Sequence, residues 1–213
     1  MVDSESVRAA YDKFSDIYDK SWAVYIRRHK EWLDQNWPAH CPEDGCVLDL
    51  GCGTGWALAH LFKTRPALHL TGVDFSEEML KISRETVPSA ELLCGDITDP
   101  DFFAARPKSD IVLSIGILHH FTDMDAHLRD LSRLTAPGGT AFLSTFALEG
   151  EMMRKFDKLF RKKLPSAYNE ILPHAELTGK LHELYPDAEI RSTILRSDGA
   201  TRLQCFILNF DSG

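Results

Sequence analysis

Apolar residues return along this chain with two different periods, and the change from one to the other organises it. Across 4–19, Val7, Tyr11, Phe14 and Tyr18 recur every three or four positions. That spacing predicts one face of a helix, with Ser4 as its N-cap. Across 21–37, Trp22, Ile26, His29, Leu33 and Trp37 repeat the spacing, and Pro38 and Pro42 end the second helix. From 46 onward, short apolar runs alternate with helical ones. CVLDLG predicts a buried strand and GWALAHLFK a helix. LHLTGVD predicts a strand, and SEEMLKISRETV a helix opened by a capping serine and two acids in its first turn. AELLCGD and SDIVLSIGIL read as strands, separated by DFFAAR, a short helix at most. DMDAHLRDLSRLT reads as a helix, and APGGTAFLSTF as a turn followed by a strand.

Strands alternating with helices imply an α/β fold, with a parallel sheet wrapped on both faces. The end of the chain differs. AEIRSTILR and TRLQCFILNF flank SDGA, whose Asp-Gly pair is a hairpin signal. Strands joined so tightly run antiparallel. The expected sheet is therefore five parallel strands followed by a terminal hairpin.

Composition narrows the function classes. A length of 213 residues suits one domain that folds without disulfide or metal staples. No apolar run approaches the roughly 20 residues that span a bilayer, and MVDSESVRAAYDKF has no signal-peptide pattern. Five cysteines, odd in number and without CxxC spacing, suit a reduced, cytoplasmic protein with no metal site. The net charge of −8 argues against a nucleic-acid surface. The expected partner is a small molecule, bound by a monomer or a homodimer.

The chemistry concentrates in VLDLGCGTGW, where Gly51, Gly53 and Gly55 follow Asp49. In an open α/β sheet, ligands bind beyond the carboxyl ends of the strands, so this first strand-to-helix turn is the expected site. Missing side chains let a ligand touch backbone. A dinucleotide site prefers G-x-G-x-x-G with a pyrophosphate on the helix N-terminus. Here the spacing is G-x-G-x-G beside a carboxylate, which repels phosphate and suits a ligand carrying positive charge.

With those residues in place, the chain resembles the class I S-adenosylmethionine-dependent methyltransferases over about 45–147. VLDLGCGTG looks like that family's first motif, LTGVDFSEEML its second, LLCGDITD its third, DIVLSIGILHHFTD its fourth strand and loop, and LTAPGGTAFLST its approach to strand five. The resemblance implies a Rossmann-like seven-stranded, mostly parallel sheet ending in an antiparallel strand, with S-adenosyl-L-methionine as cofactor and S-adenosyl-L-homocysteine as product. Asp74, 21 residues after Gly53, is placed to accept both ribose hydroxyls. Asp96 is placed to accept from the adenine amine, with Ile97, Phe75 and Met79 against the purine. Asp49 and the Gly51 carbonyl face the ammonium end, and Ile115 joins the donor set. The alternatives are a loop-fastening role for Asp49 and a core role for Phe75 and Met79.

The acceptor side is read from three places. His119, just past strand four, is the candidate base, since histidine titrates near neutrality; the alternative is a packing role, which suits His120 more, although His120, with Tyr11, Met153 and Phe156, is also a candidate for binding the acceptor. Tyr18 and Tyr11, seven apart, share a helical face and are similar to a Tyr-Asp repeat that caps the donor in related enzymes; both also suit a helix core. In the insertion LEGEMMRKFDKLFRKKL, Met153 and Phe156 belong to an apolar stripe that roofs an acceptor pocket or simply forms a surface helix. The resulting layout is one domain: a helical cap over 1–40, a donor core over 45–147, a roof over 148–185 and a hairpin over 186–213. The function expected is methyl transfer to a small organic acceptor, oxygen first, then nitrogen, sulfur or carbon. The alternative is a donor-binding or partner-binding module without turnover.

Overall fold

In the computed structural model of the chain, the described residues are 4–37, 41–99, 101–103, 106–147, 171–196 and 202–210, with Lys155 and Lys158. Their strands form one seven-stranded sheet in the order β3-β2-β1-β4-β5-β7-β6. The strands are β1 (Cys46–Leu50), β2 (His69–Asp74), β3 (Glu91–Cys94), β4 (Ser109–Ile115), β5 (Thr135–Phe146), β6 (Glu189–Arg196) and β7 (Arg202–Asn209). The first five run parallel. β7 enters antiparallel between β5 and β6, so β6 runs with the others and β7 alone opposes them. The hairpin reading agrees with this pairing, and its SDGA turn lies outside the described residues.

The near-continuous apolar runs follow from burial on both faces. The pleat sends Val47, Ile111, Leu113, Phe142 and Ile207 to one side. There they meet Trp32, Leu33 and Trp37 from α3 (Ala23–Asn36) and its C-cap, Leu58 and Leu61 from α4 (Trp56–Thr64) and Leu80 from α5 (Glu77–Thr86). The intervening Leu48, Val112, Leu143 and Phe206 face the other way. They pack on Leu128 and Leu131 of α6 (Met124–Leu134) and on Leu177 and Leu181 of α7 (His174–Leu184). α5 opens as its serine predicts: Ser76 Oγ accepts the Met79 N–H at 3.1 Å. Asp123 does the same for α6, accepting from Ala126 N–H at 2.9 Å.

Three local readings need correction. The helix expected over 4–19 is broken into α1 (Ser4–Phe14), a 3-10 turn (Ser15–Ile17) and α2 (Tyr18–Ser21). Ser15 Oγ donates to the Asp12 carbonyl at 3.0 Å, a local bond of the kind by which serine competes with regular helix. Fourth-strand pairing stops at Ile115, where Gly116 takes φ +75°. The Pro-Gly-Gly segment is a bulge inside β5 rather than a turn before it. Pairing with β4 jumps from Ser109↔Thr135 to Ile111↔Thr140, while Gly138 N–H bonds the Phe210 carbonyl at 2.8 Å. The insertion over 148–164, with Met153 and Phe156, lies outside the described residues apart from exposed Lys155 and Lys158.

A buried polar link ties α3 to the sheet. His29 donates through Nδ1 to the Tyr25 carbonyl at 3.0 Å, its Nε2 accepts from Ser144 Oγ at 2.7 Å, and it is fully buried. Burial lowers its pKa to about 4. An unfolded imidazole takes its proton near 6.5, so the unfolded chain binds more protons between those values. Stability should therefore fall as pH is lowered from about 6.5 to about 4, by ~3 kcal/mol from His29 alone. Urea unfolding at pH 7 and 4.5 measures this, and His29→Gln should flatten the difference. His127, lowered to about 3 by its burial, acts in the same direction. Separately, Gly55 has φ +76°, and a Cβ there would run into Ser83 Oγ on α5. Gly55→Ala should cost about 2–4 kcal/mol of unfolding free energy, read as a lower urea midpoint at unchanged slope.

Candidate functional site

The glycine turn leaves β1 with φ of +70° at Gly51, +54° at Gly53 and +76° at Gly55, a backbone region that favours glycine. The three serve different ends. A Cβ on Gly51 would sit 2.7 Å from Ile117 Cγ2, so this glycine admits the loop after β4. Gly55 admits α5. At Gly53 a Cβ would meet nothing within 4 Å. That glycine borders open space, in a cavity of about 460 Å³ at the carboxyl ends of the strands.

Asp74 closes β2 beside it and is 6% exposed. Its Oδ2 accepts the Gly53 N–H at 2.8 Å and its Oδ1 accepts the Ser76 N–H at 2.9 Å. Burial pushes its pKa up to about 6, opposed by these backbone donors and assisted by Asp12. Asp96, half-buried past the end of β3, accepts from both Thr98 N–H and Thr98 Oγ1 through a single oxygen, Oδ1, at 2.8 and 2.7 Å. Its Oδ2 takes no hydrogen bond among the described residues. Asp49 is 3% exposed, and burial, with Asp74 nearby, raises its pKa well above the usual carboxylate range.

The cavity wall contains Tyr11, Tyr18, Gly51, Gly53, Asp74 and Phe75, together with Met79, Asp96, Ile97, Ile115 and His120. Asp49 and His119 are not in it. Tyr25, Trp56, Ile117, Phe121 and His127 are, although sequence reasoning passed over them. Tyr25 carries a faint signal, standing three after Trp22 and four before His29 on the α3 apolar face. Nothing in that periodicity separates a cavity residue from a core one. Among the described lining residues there is no Lys or Arg, while Asp74, Asp96, Asp123 and Asp130 are present.

His119 and His120 face different ways, and only His120 is in the cavity wall. Both lie in a 3-10 turn, Leu118–His120, where successive side chains point about 120° apart. His119 turns inward and is 5% exposed, its ring 5.2 Å from that of Phe146. Burial, with His120 alongside, holds its imidazole well below the usual histidine range. His120 turns toward the cavity, its Nε2 2.9 Å from the Tyr11 hydroxyl.

The N-terminal segment covers this space and is fastened at three points. Tyr11 meets His120, Ser76 Oγ donates to the Asp12 carboxylate, and Thr54 Oγ1 donates to Asp19 at 2.7 Å. Thr54 follows Gly53 directly, and Ser76 stands two residues after Asp74. The cover is thus anchored on the loops that frame the cavity. Among the described residues, no group of three or more His, Cys, Asp or Glu is arranged to hold a metal ion. Nor is any described helix long and apolar enough to cross a membrane.

Residues 47–139 match the methyltransferase domain family. The Listeria welshimeri demethylmenaquinone methyltransferase is 33% identical over 144 residues, which cover 63% of this chain and 60% of that protein. The Mus musculus protein named "Probable tRNA methyltransferase 9B" is 27% identical over 165 residues, 74% of this chain and 33% of that protein. The chain thus spans about a third to three fifths of the length of these relatives. Among solved structures, the plantazolicin methyltransferase in complex with S-adenosylhomocysteine and a pentazolic substrate analogue superposes with a TM-score of 0.69 at 16% identity. That alignment covers 93% of this chain and 90% of that one. Strand order and the sequence likeness over residues 47–139 point the same way, to S-adenosylmethionine-dependent methyltransferases.

Proposed function

We propose that this chain transfers a methyl group from S-adenosylmethionine to a small organic acceptor, oxygen being the first choice, then nitrogen, sulfur or carbon. The observation that carries the reading is the open cradle at Gly53 beside a buried, strand-tip carboxylate, Asp74. Bare backbone and an acceptor-only side chain suit a ribose. Asp96, with one oxygen uncommitted, suits the adenine amine. Ile97, Phe75 and Met79 supply apolar surface for the purine. Asp49, buried behind the Gly51 turn, is assigned to the ammonium end, and Tyr18 supplies an aromatic face toward a cation. When bound, S-adenosylmethionine supplies an activated methyl: the acceptor's lone pair bonds the methyl carbon as the carbon–sulfur pair returns to sulfur.

What remains for the protein is positioning and exclusion of water. The cover over 4–21 serves both, and the insertion with Met153 and Phe156 is the proposed roof of the acceptor side. A cavity of about 460 Å³ is of small-molecule size. Although the mouse relative is named for tRNA, no lysine or arginine among the described lining residues is available to neutralise phosphate. Acidic walls suit a neutral or cationic acceptor.

Calorimetric titration tests the donor site. S-adenosylhomocysteine should bind at micromolar concentration and NAD should not. Asp74→Ala should weaken that binding by about 1.5–3 kcal/mol, the scale of losing charge-assisted hydrogen bonds at a buried group; wild-type affinity in the variant would overturn the assignment. Because the ribose hydroxyls need an ionised acceptor and Asp74 is pushed up to about 6, affinity should drop about tenfold between pH 7.5 and 5. The part of that drop due to Asp74 should vanish in Asp74→Asn. To name the acceptor, a metabolite extract incubated with methyl-labelled donor and the protein should yield a labelled small molecule.

A further inference from the structure

We propose that Tyr11 and His120 form a proton relay, and that the acceptor therefore carries a removable O–H or N–H proton. This rests on the methyltransferase reading above. Both side chains line the cavity, and the Tyr11 hydroxyl lies 2.9 Å from His120 Nε2. The rings meet edge to face at 84°, with centroids 5.6 Å apart. The pair spans 109 positions, one member on the cover and the other on the loop after β4. It therefore exists only when the cover is closed.

In the proposed direction of transfer the Tyr11 hydroxyl donates and His120 Nε2 accepts across the 2.9 Å contact. The acceptor gives its proton to Tyr11 Oη as its lone pair is committed to the new bond. Tyr11 passes its own phenolic proton to His120 Nε2, so that the tyrosine ends neutral and the imidazole ends as a cation. Tyr11 suits the middle position because burial and the nearby Asp74 raise its pKa, so it does not hold a phenolate. Among the described residues, the pair is met by His119 on the same turn and Tyr18 from α2, and Tyr11 also feels the charge of Asp74 from β2. Burial and the neighbouring His120 keep His119 neutral. The base assigned to His119 by sequence is thus supplied by its neighbour, which the 3-10 turn aims at the cavity.

The test uses the whole chain, a small-molecule metabolite extract and methyl-labelled S-adenosylmethionine, with S-adenosylhomocysteine calorimetry alongside. Expected for His120→Gln is a loss of at least 100-fold in label transfer, and for Tyr11→Phe a loss of at least tenfold, within the range for general base catalysis. Calorimetry of both variants with S-adenosylhomocysteine separates a loss of binding from the loss of transfer, which should be the larger. Wild-type transfer should rise with pH as His120 loses its proton, and this limb should disappear in His120→Gln. Nitrogen NMR of the imidazole, which needs no turnover, should find Nε2 unprotonated at pH 8, with the tautomer preference lost in Tyr11→Phe. Normal transfer with an unchanged pH profile in either variant overturns the relay while leaving the methyltransferase reading intact. A wild-type chain that binds S-adenosylhomocysteine yet labels nothing in the extract overturns both.

Discussion

The hydrogen bond from Gly53 N–H to the Asp74 carboxylate is the contact on which the site depends. It joins the turn after β1 to the tip of β2 across 21 positions. The second oxygen of the same side chain holds Ser76 N–H, and Ser76 in turn caps α5. One buried carboxylate thus fixes a glycine turn, a strand end and a helix start. Its burial is costly, as the raised pKa records, and two backbone donors offset that cost. The arrangement is an apolar sheet whose few buried polar groups are committed to shaping one crevice.

Acidic groups recur around that crevice for a common electrostatic reason. Asp12, Asp19, Asp49, Asp74 and Asp96 all lie in or against the turns at the strand tips, and no described lining residue carries a fixed positive charge. Asp12 raises the pKa of Asp74, and Asp74 that of Asp49. A ligand bearing positive charge relieves that repulsion, and an anion increases it. The charge pattern and the bare backbone select for the same kind of molecule by independent means.

Much of this was readable from the sequence because buried parallel strands write continuous apolar runs, and because ligands meet such sheets at strand tips. Asp74 and Asp96 stand out since an acid ending an apolar strand has few structural uses. The orientation of His119 and His120 was not readable. Adjacent residues in a 3-10 turn diverge by a third of a circle, and no repeat in the sequence marks which faces inward. The break at Ser15–Ile17 was hidden because the apolar spacing from Tyr11 to Phe14 and Tyr18 runs through it. Tyr25 was hidden by its apolar neighbours. The β5 bulge depends on Phe210, more than 70 positions away, and a local Pro-Gly-Gly pattern cannot report such a partner.

The fastening of the N-terminal cover has a kinetic meaning. Three hydrogen bonds, two of them to carboxylates, hold it onto the donor loops. At about 1–2 kcal/mol each, undoing all three takes a few kcal/mol, within the range of local opening well below global unfolding. The 3-10 break supplies a joint between the outer fastenings. Parting at this joint would uncover the cavity while the sheet stays folded.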